Sequence, residues 1–249
     1  MLRDASSRHL QTINESLKIA RLALADWAAG VFATTGRINL VADVSERLIR
    51  KMVTDLSGAE IRLSPSLIFD PATSLRKRRE LDAELGRIIA ALRRKNPASD
   101  DDEIGMLLSF AVLANDASQG ILMANLTKTL AENISVRFDH IDWPQKPTEA
   151  GIRFIERIAT CPVEIGGRKL AAGSVVRAEM QGATRDGDAA LLFGIGRHVC
   201  LGRGFFWAFW RDLVAALAKL PVKVATIDIG PTSNRVFPIP DYVWIEVTN

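Results

Sequence analysis

Residues 191–204 read LLFGIGRHVCLGRG, and they set Cys200, one of only two cysteines, among Gly194, Gly196, Gly202 and Gly204. Phe193 heads the stretch, and Arg197 and His198 stand before the thiol. Apolar residues resume at helical spacing after Gly202, so Cys200 sits where a loop is about to become a helix. Unpaired amides and the dipole at a helix N-terminus stabilise a thiolate and lower its pKa. Glycine permits positive φ and lets backbone pass close to something large and flat. Those two properties suit a thiolate metal ligand held against the plane of a cofactor.

The same residues fit other chemistries less well. A zinc site wants several Cys or His at short spacing, and no C-x-x-C is present. A phosphate loop needs G-x-x-x-x-G-K-[ST], which is missing. A nucleophilic Cys200 has His198 two residues away, on the same side of an extended segment but without assured contact. On residue types alone, a structural cysteine in a glycine-rich turn stays open.

The whole string extends the choice. FGIGRHVCLG resembles the haem-binding loop of cytochromes P450, F-x-x-G-x-x-x-C-x-G, at Phe193, Gly196, Cys200 and Gly202, with His198 at the usual histidine position. The resemblance implies haem b with Cys200 as its proximal thiolate ligand, a ligation that favours O–O cleavage. It also implies Phe193, Gly196 and Gly202 as the cradle of the sulfur, and His198 as a propionate partner. Residues 157–186, RIATCPVEIGGRKLAAGSVVRAEMQGATRD, resemble the family's R-x-A-x-x-D-V-E-[IL]-G-G segment and place Arg157 against a second propionate. NLVADVSERLIRKMVTDLSGAE and the stretch leading into the helix after residue 99 are similar to family segments in the family's order. The resemblance is clearest over residues 35–215.

The rest of the chain is read by pattern. At 249 residues it suits one large domain or two small ones, and 48% hydrophobic with 24% charged is ordinary for a globular protein. A net charge of +3 is too small to point to nucleic acid, which needs a concentrated basic face. Two cysteines suit a reducing cytosol, and MLRDASSRHL lacks the apolar core of a signal peptide. The longest apolar stretch, around residues 106–114, is about half of the ~20 residues that a bilayer span requires. The expectation is a cytoplasmic chain with no membrane partner.

Helices dominate. Leu17, Ile19, Leu24 and Trp27 recur at helical spacing, with Gly30 as the expected stop. A second helix carries Val44, Leu48, Ile49, Met52, Val53 and Leu56. A third starts near Thr73, shows Leu75, Leu81, Leu85, Ile88, Ile89 and Leu92 on one face, and ends at Asn96-Pro97. Its RKRRE (76–80) reads as a solvated face. A long helix follows, capped by Ser99 or Asp100, with acids in its first turn and an apolar centre. Asn115, Asp116, Ser118 and Gln119 interrupt that centre, as either a water-filled kink or an active-site wall. Beyond Pro162, VEIGGRKLAAGSVV reads as short hairpins turning at Gly166-Gly167 and Ala172-Gly173. The aromatic helix FFWAFWRDLVAALAKL and two C-terminal strands, near 222–227 and 242–247, complete a mainly α fold with small peripheral β-sheets. With no repeat and no linker, residues 1–249 are read as a single domain of reduced P450-like fold.

Departures from the family pattern shape the functional expectation. No counterpart of the N-terminal sheet or the roof of the substrate pocket is found; Arg3 and Arg8 are the remaining haem-contact candidates from that side. Glu149 and Arg153 are four apart where the family's E-x-x-R pair is three apart, a spacing at which a helix still joins them. Ala114-Asn115-Asp116-Ala117-Ser118 aligns with A-G-x-[DE]-T, so Ala117 takes the acid position and Ser118 that of threonine. Asp116 lies about 100° away around the helix. Asp116 and Ser118 are the catalytic candidates. The resemblance implies an oxidoreductase of the monooxygenase type acting on an organic small molecule, as in secondary metabolism, with O2 and external electrons or with peroxide. Redox-neutral haem-thiolate chemistry (lyase, dehydratase or cyclase) and a non-catalytic haem protein completed by a partner are the alternatives. Arg197 and Arg203 are expected to dock a ferredoxin-type donor. Phe205, Phe206, Trp207, Phe209 and Trp210 form either core behind the cofactor or the contact of a homo-oligomer.

Overall fold

The computed structural model describes residues 22–57, 72–180, 191–194, 199–200, 202–233 and 236–249, together with Glu60, Leu67 and Asp70. Its first helix, α1 (Leu22–Phe32), buries Leu24, Ala25, Ala28, Ala29 and Phe32, a stripe at i, i+4 spacing. Gly30 lies inside this helix, which runs two residues further to Phe32. The chain turns instead at Gly36, whose φ of 121° favours glycine.

Strand β1 (Gly36–Asn39) follows directly, then a π-helical turn (Leu40–Ser45) and α2 (Glu46–Ser57). Asn39 caps this start: its side-chain oxygen accepts from the Val41 amide at 3.1 Å, and the Asn39 amide donates to Asp43 at 3.0 Å. Leu48, Ile49, Met52 and Val53 of α2 are buried, as their spacing predicts. α3 (Leu75–Lys95) is capped by Ser74 and buries Leu81, Ile88, Ala91 and Leu92. Leu75 is 79% exposed, a correction to its expected place on the buried face; it is the first residue of the helix, directly after the Ser74 cap. The basic run is solvated as expected, with Arg76 and Lys77 both pairing with Glu80.

The centre of the molecule is α4 (Asp101–Glu132), 32 residues and so about 48 Å long. Asp100 caps it by accepting from the Glu103 amide at 2.9 Å, and Asp101, Asp102 and Glu103 sit at the positive end of its dipole. By length and composition α4 is apolar enough to cross a membrane, yet more than half of its most apolar window is buried. It packs against α2, α3 and the C-terminal sheet, so its hydrophobicity on all sides is that of a core helix.

After a short 3-10 turn (Phe138–His140), β2 (Phe154–Ile158), β3 (Val163–Ile165), β4 (Arg168–Leu170) and β5 (Val175–Glu179) form two small antiparallel pairs. β3 and β4 make the expected hairpin, with Gly166 and Gly167 both at positive φ. The second turn does not make another hairpin: β5 pairs back with β2, in the register Ile158↔Val175. α5 (Arg203–Leu217) leads into β6 (Lys223–Ile229) and β7 (Val243–Thr248). β7 is the central strand of a three-stranded sheet ordered β1-β7-β6, and buries Val243, Ile245 and Val247 in strict alternation.

One hydrophobic cluster runs from α1 to β7. Phe205, Phe206, Phe209 and Trp210 belong to it and are buried by this chain alone. The expectation of a homo-oligomer through these rings is therefore corrected: they face inward, and α5 leaves only Trp207 half-buried among them.

Candidate functional site

The cysteine loop is built from both ends. A 3-10 turn (Leu191–Phe193) delivers Phe193 to the core, and Gly194 takes φ 71° to reverse the chain. The Cys200 amide then donates to the Phe193 carbonyl at 2.7 Å, which closes the loop at its neck. The Arg203 amide donates to the Cys200 carbonyl at 3.2 Å, and α5 begins there with Gly202 as its N-cap. Phe193 packs edge-on to Trp207 at 5.9 Å and tilted to Phe206 at 6.3 Å. Phe193, Cys200 and Gly202 are thus brought together. Gly196 and His198, with Arg197, lie outside the described residues, as do Arg3 and Arg8.

Cys200 is a free, exposed cysteine. Protein crowding around the sulfur pushes its thiol pKa up, against the lowering effects of the Gly202 and Arg203 amides and the Arg203 charge. The expectation of a lowered pKa is reversed in sign, because desolvation outweighs the helix N-terminus. A Cβ on Gly202 would meet the Cys200 sulfur at 3.7 Å, an ordinary contact. Among the described residues no group of three or more His, Cys, Asp or Glu side chains stands close enough to hold a metal ion.

Trp207 lies beside the loop with cations on it, the Lys146 ammonium 4.9 Å and the Arg203 guanidinium 5.3 Å from its ring. Its indole N–H is buried without a hydrogen-bond partner among the described residues. Arg157 is exposed on β2 and donates to the Glu156 carbonyl at 2.8 Å.

The other candidates lie in the middle of α4. Asn115 and Asp116 are 3% and 2% exposed, and the Asn115 amide donates to Asp116 at 2.6 Å. Ser118 is half-buried. The segment after Trp143 crosses α4 with Gly151 laid against Ala117, Gly120 and Ile121, an approach that a Cβ on Gly120 or Gly151 would obstruct. No helix forms over residues 149–153. The expected Glu149–Arg153 pair is therefore corrected: Glu149 bonds Lys128 of α4 at 2.6 Å, and the buried Arg153 Nε has no partner among the described residues.

Asn125, which sequence reading passed over, anchors this crossing. Its side chain donates to the Ile121 and Glu149 carbonyls at 2.7 and 3.0 Å and accepts from the Thr148 and Glu149 amides at 2.6 and 3.0 Å. A lone asparagine in an apolar helical run was the available signal.

No family model matches the chain, and no curated protein does. Solved structures do. The chain is similar to CalO2 at 17% identity and TM-score 0.73, over 98% of this chain and 77% of that one. It is similar to the versatile cytochrome P450 enzyme CYP109B1 from Bacillus subtilis at 17% identity and TM-score 0.69, over 94% and 79% of the two chains. CYP109E1 from Bacillus megaterium, solved in complex with corticosterone, matches at 16% identity and TM-score 0.68, over 98% and 83%. A mainly helical chain with small antiparallel sheets, a long central helix and the cysteine loop ahead of α5 is thus a reduced form of the cytochrome P450 fold.

Proposed function

We propose that the chain is a haem-thiolate oxidoreductase of P450 type that binds haem b through Cys200 and acts on an organic small molecule. The observation that carries the proposal is the presentation of the sulfur. Cys200 is exposed at the start of α5, its loop is closed by the bond to Phe193, and the Gly202 and Arg203 amides stand against the sulfur. These donors fit a thiolate ligand, whose charge they would stabilise. The Trp207 indole N–H and the Arg153 Nε–H, both without a partner among the described residues, add further donors. When bound, haem supplies redox or Lewis-acid chemistry, and thiolate ligation favours O–O cleavage.

The remaining roles belong to side chains of this chain. Phe193 excludes water from the sulfur, Gly196 and Gly202 let the loop lie close, and His198 and Arg157 hold the propionates. On α4, the Ser118 hydroxyl and Asp116 are the candidates for holding a proton or water, with Ala117 in the position that the resemblance gives to an acid. Arg203, with Arg197, is the docking surface for an acidic ferredoxin-type donor, since such charges steer encounter. A redox-neutral reaction is the second reading, since Ala117 stands at the acid position and the neighbouring Asp116 carboxylate is bonded by Asn115 of its own helix.

The test is a ferrous–CO spectrum of the protein reconstituted with haemin. The red-shifted Soret band of thiolate ligation is expected in the native chain and in Cys161→Ala, and is expected to vanish in Cys200→Ala. A protein that takes up no haemin would overturn the proposal. Turnover assays with reductase and O2, with peroxide, and anaerobically then divide the reactions. Product only without O2 or peroxide would establish the redox-neutral reading.

A further inference from the structure

The β2–β5 ribbon leaves apolar surface uncovered. Among the described residues it is a sheet of two strands, and such a ribbon is marginal in water unless its faces are packed. Strand alternation divides its side chains between two faces. Ile155 lies on the inner face and packs against the hydrophobic core. Glu156 and Ile158 of β2 share the outer face with Val175, Arg177 and Glu179 of β5, and all five are exposed. Ile158 and Val175 are direct cross-strand partners, 68% and 64% exposed. Val163 and Ile165 of the following strand are exposed as well. Apolar side chains grouped on a surface in this way mark a contact.

The charges on the outer face select its occupant. Glu156 accepts from Nη2 and Nε of Arg177 at 2.6 and 3.1 Å. The Arg177 guanidinium lies 4.1 Å from the centre of the Phe154 ring. Along the ribbon the levels therefore run Ile158 with Val175, Glu156 with Arg177, then Phe154 with Glu179. A two-fold axis parallel to the strands lays β2 of one copy over β5 of another without changing level. Ile158 then meets Val175 of the second copy, and Glu156 meets Arg177 of the second copy, each contact occurring twice by symmetry. Sheets stacked face to face lie about 10 Å apart, within reach of these side chains. An anionic lipid surface would instead meet Glu156 and Glu179, two acids against one base.

We propose that the outer face of the β2–β5 ribbon is the contact of a two-fold homodimer. Two copies bury Ile158 and Val175 in one apolar cluster, and two reciprocal pairs of Glu156 and Arg177 fix its register. The patch is small, so the dimer belongs to the transient class. This contact uses none of the α5 aromatics, which each chain buries by itself. It does not rest on the haem reading, since the Cys200 loop takes no part in it.

Sedimentation velocity of the full chain, from about 1 to about 200 µM, tests it. A reversible monomer–dimer equilibrium is expected within that range. Ile158→Asp should weaken the dimer by at least about tenfold. Glu156→Arg and Arg177→Glu each set like charges face to face across the axis, and each variant alone should stay monomeric. An equimolar mixture of the two variants restores opposite charges, and should dimerise to within about threefold of the native affinity. An exposed ion pair contributes little to folding, and recovery in the mixture excludes misfolding as the cause of the loss. A chain that is monomeric throughout, a dimer that the variants leave unchanged, or variants that do not recover on mixing would overturn the proposal. A monomeric chain that co-sediments with phosphatidylserine vesicles would overturn it in favour of a membrane.

Discussion

Cys200 carries two opposed influences within a few ångströms. The amides of Gly202 and Arg203 and the Arg203 charge favour thiolate, and crowding around the sulfur disfavours it more. In the haem-free protein the thiol therefore stays protonated at neutral pH. The iodoacetamide alkylation rate of Cys200 is expected to rise with a midpoint above the ordinary thiol value, and a midpoint below it would refute this balance. The sign for stability follows: as pH rises through the ordinary thiol value, the unfolded chain loses this proton first, so the group's contribution to stability falls. At Asn125 the consequence is mechanical. It is 1% exposed and satisfies two carbonyls and two amides. Asn125→Ala leaves several of these groups unpaired, and a loss of about 2–4 kcal/mol is expected by urea denaturation. The chemistry of the Cys200 loop is legible residue by residue, since glycine, cysteine and phenylalanine speak through local backbone freedom and ligand type. The partners of Asn125 are not, because they come from 23 and 24 residues further along the chain.

Among the elements, helices follow their own periodicity and their ends follow capping chemistry. Asp100 closes the first turn of α4, so Asp100→Ala is expected to cost about 1 kcal/mol, read as a lowered urea midpoint with an unchanged slope. The helices were legible because apolar stripes and caps are written within one turn of each other. Where local signals were weak, the outcome changed. Gly30 sits inside α1, since one glycine does not end a helix that buries Ala29 beside it and Phe32 two residues on. The four residues of β1 were passed over because they read as a lead-in to the helix, and only β7 makes them a strand. Likewise β5 takes β2 in place of β4 as its partner. Residues 149–153 have helical spacing for Glu149 and Arg153, but Asn125 and Lys128 claim the backbone and the carboxylate for α4.

Across the whole molecule, the last strand ties the chain together. Val247 of β7 pairs with Gly36 of β1, and Val224 of β6 pairs with it from the other side. Removal of residues 243–249 takes out the central strand and three buried side chains, Val243, Ile245 and Val247. Such a truncation is expected to lose near-UV circular dichroism and cooperative unfolding, whereas a native-like melt would show that the sheet is dispensable. The buried Trp210 makes a similar long-range tie, donating to the Pro144 carbonyl at 2.7 Å. By itself the sequence determined the cysteine loop, the run of helices and their caps, and through them the P450-like pattern, because each is set by neighbours within a few residues. Tertiary structure alone decided the inward turn of the α5 aromatics, the sign of the Cys200 shift and the clamp of Asn125 on Glu149. Those depend on which distant surfaces meet and how much water their meeting excludes, and no local pattern encodes either.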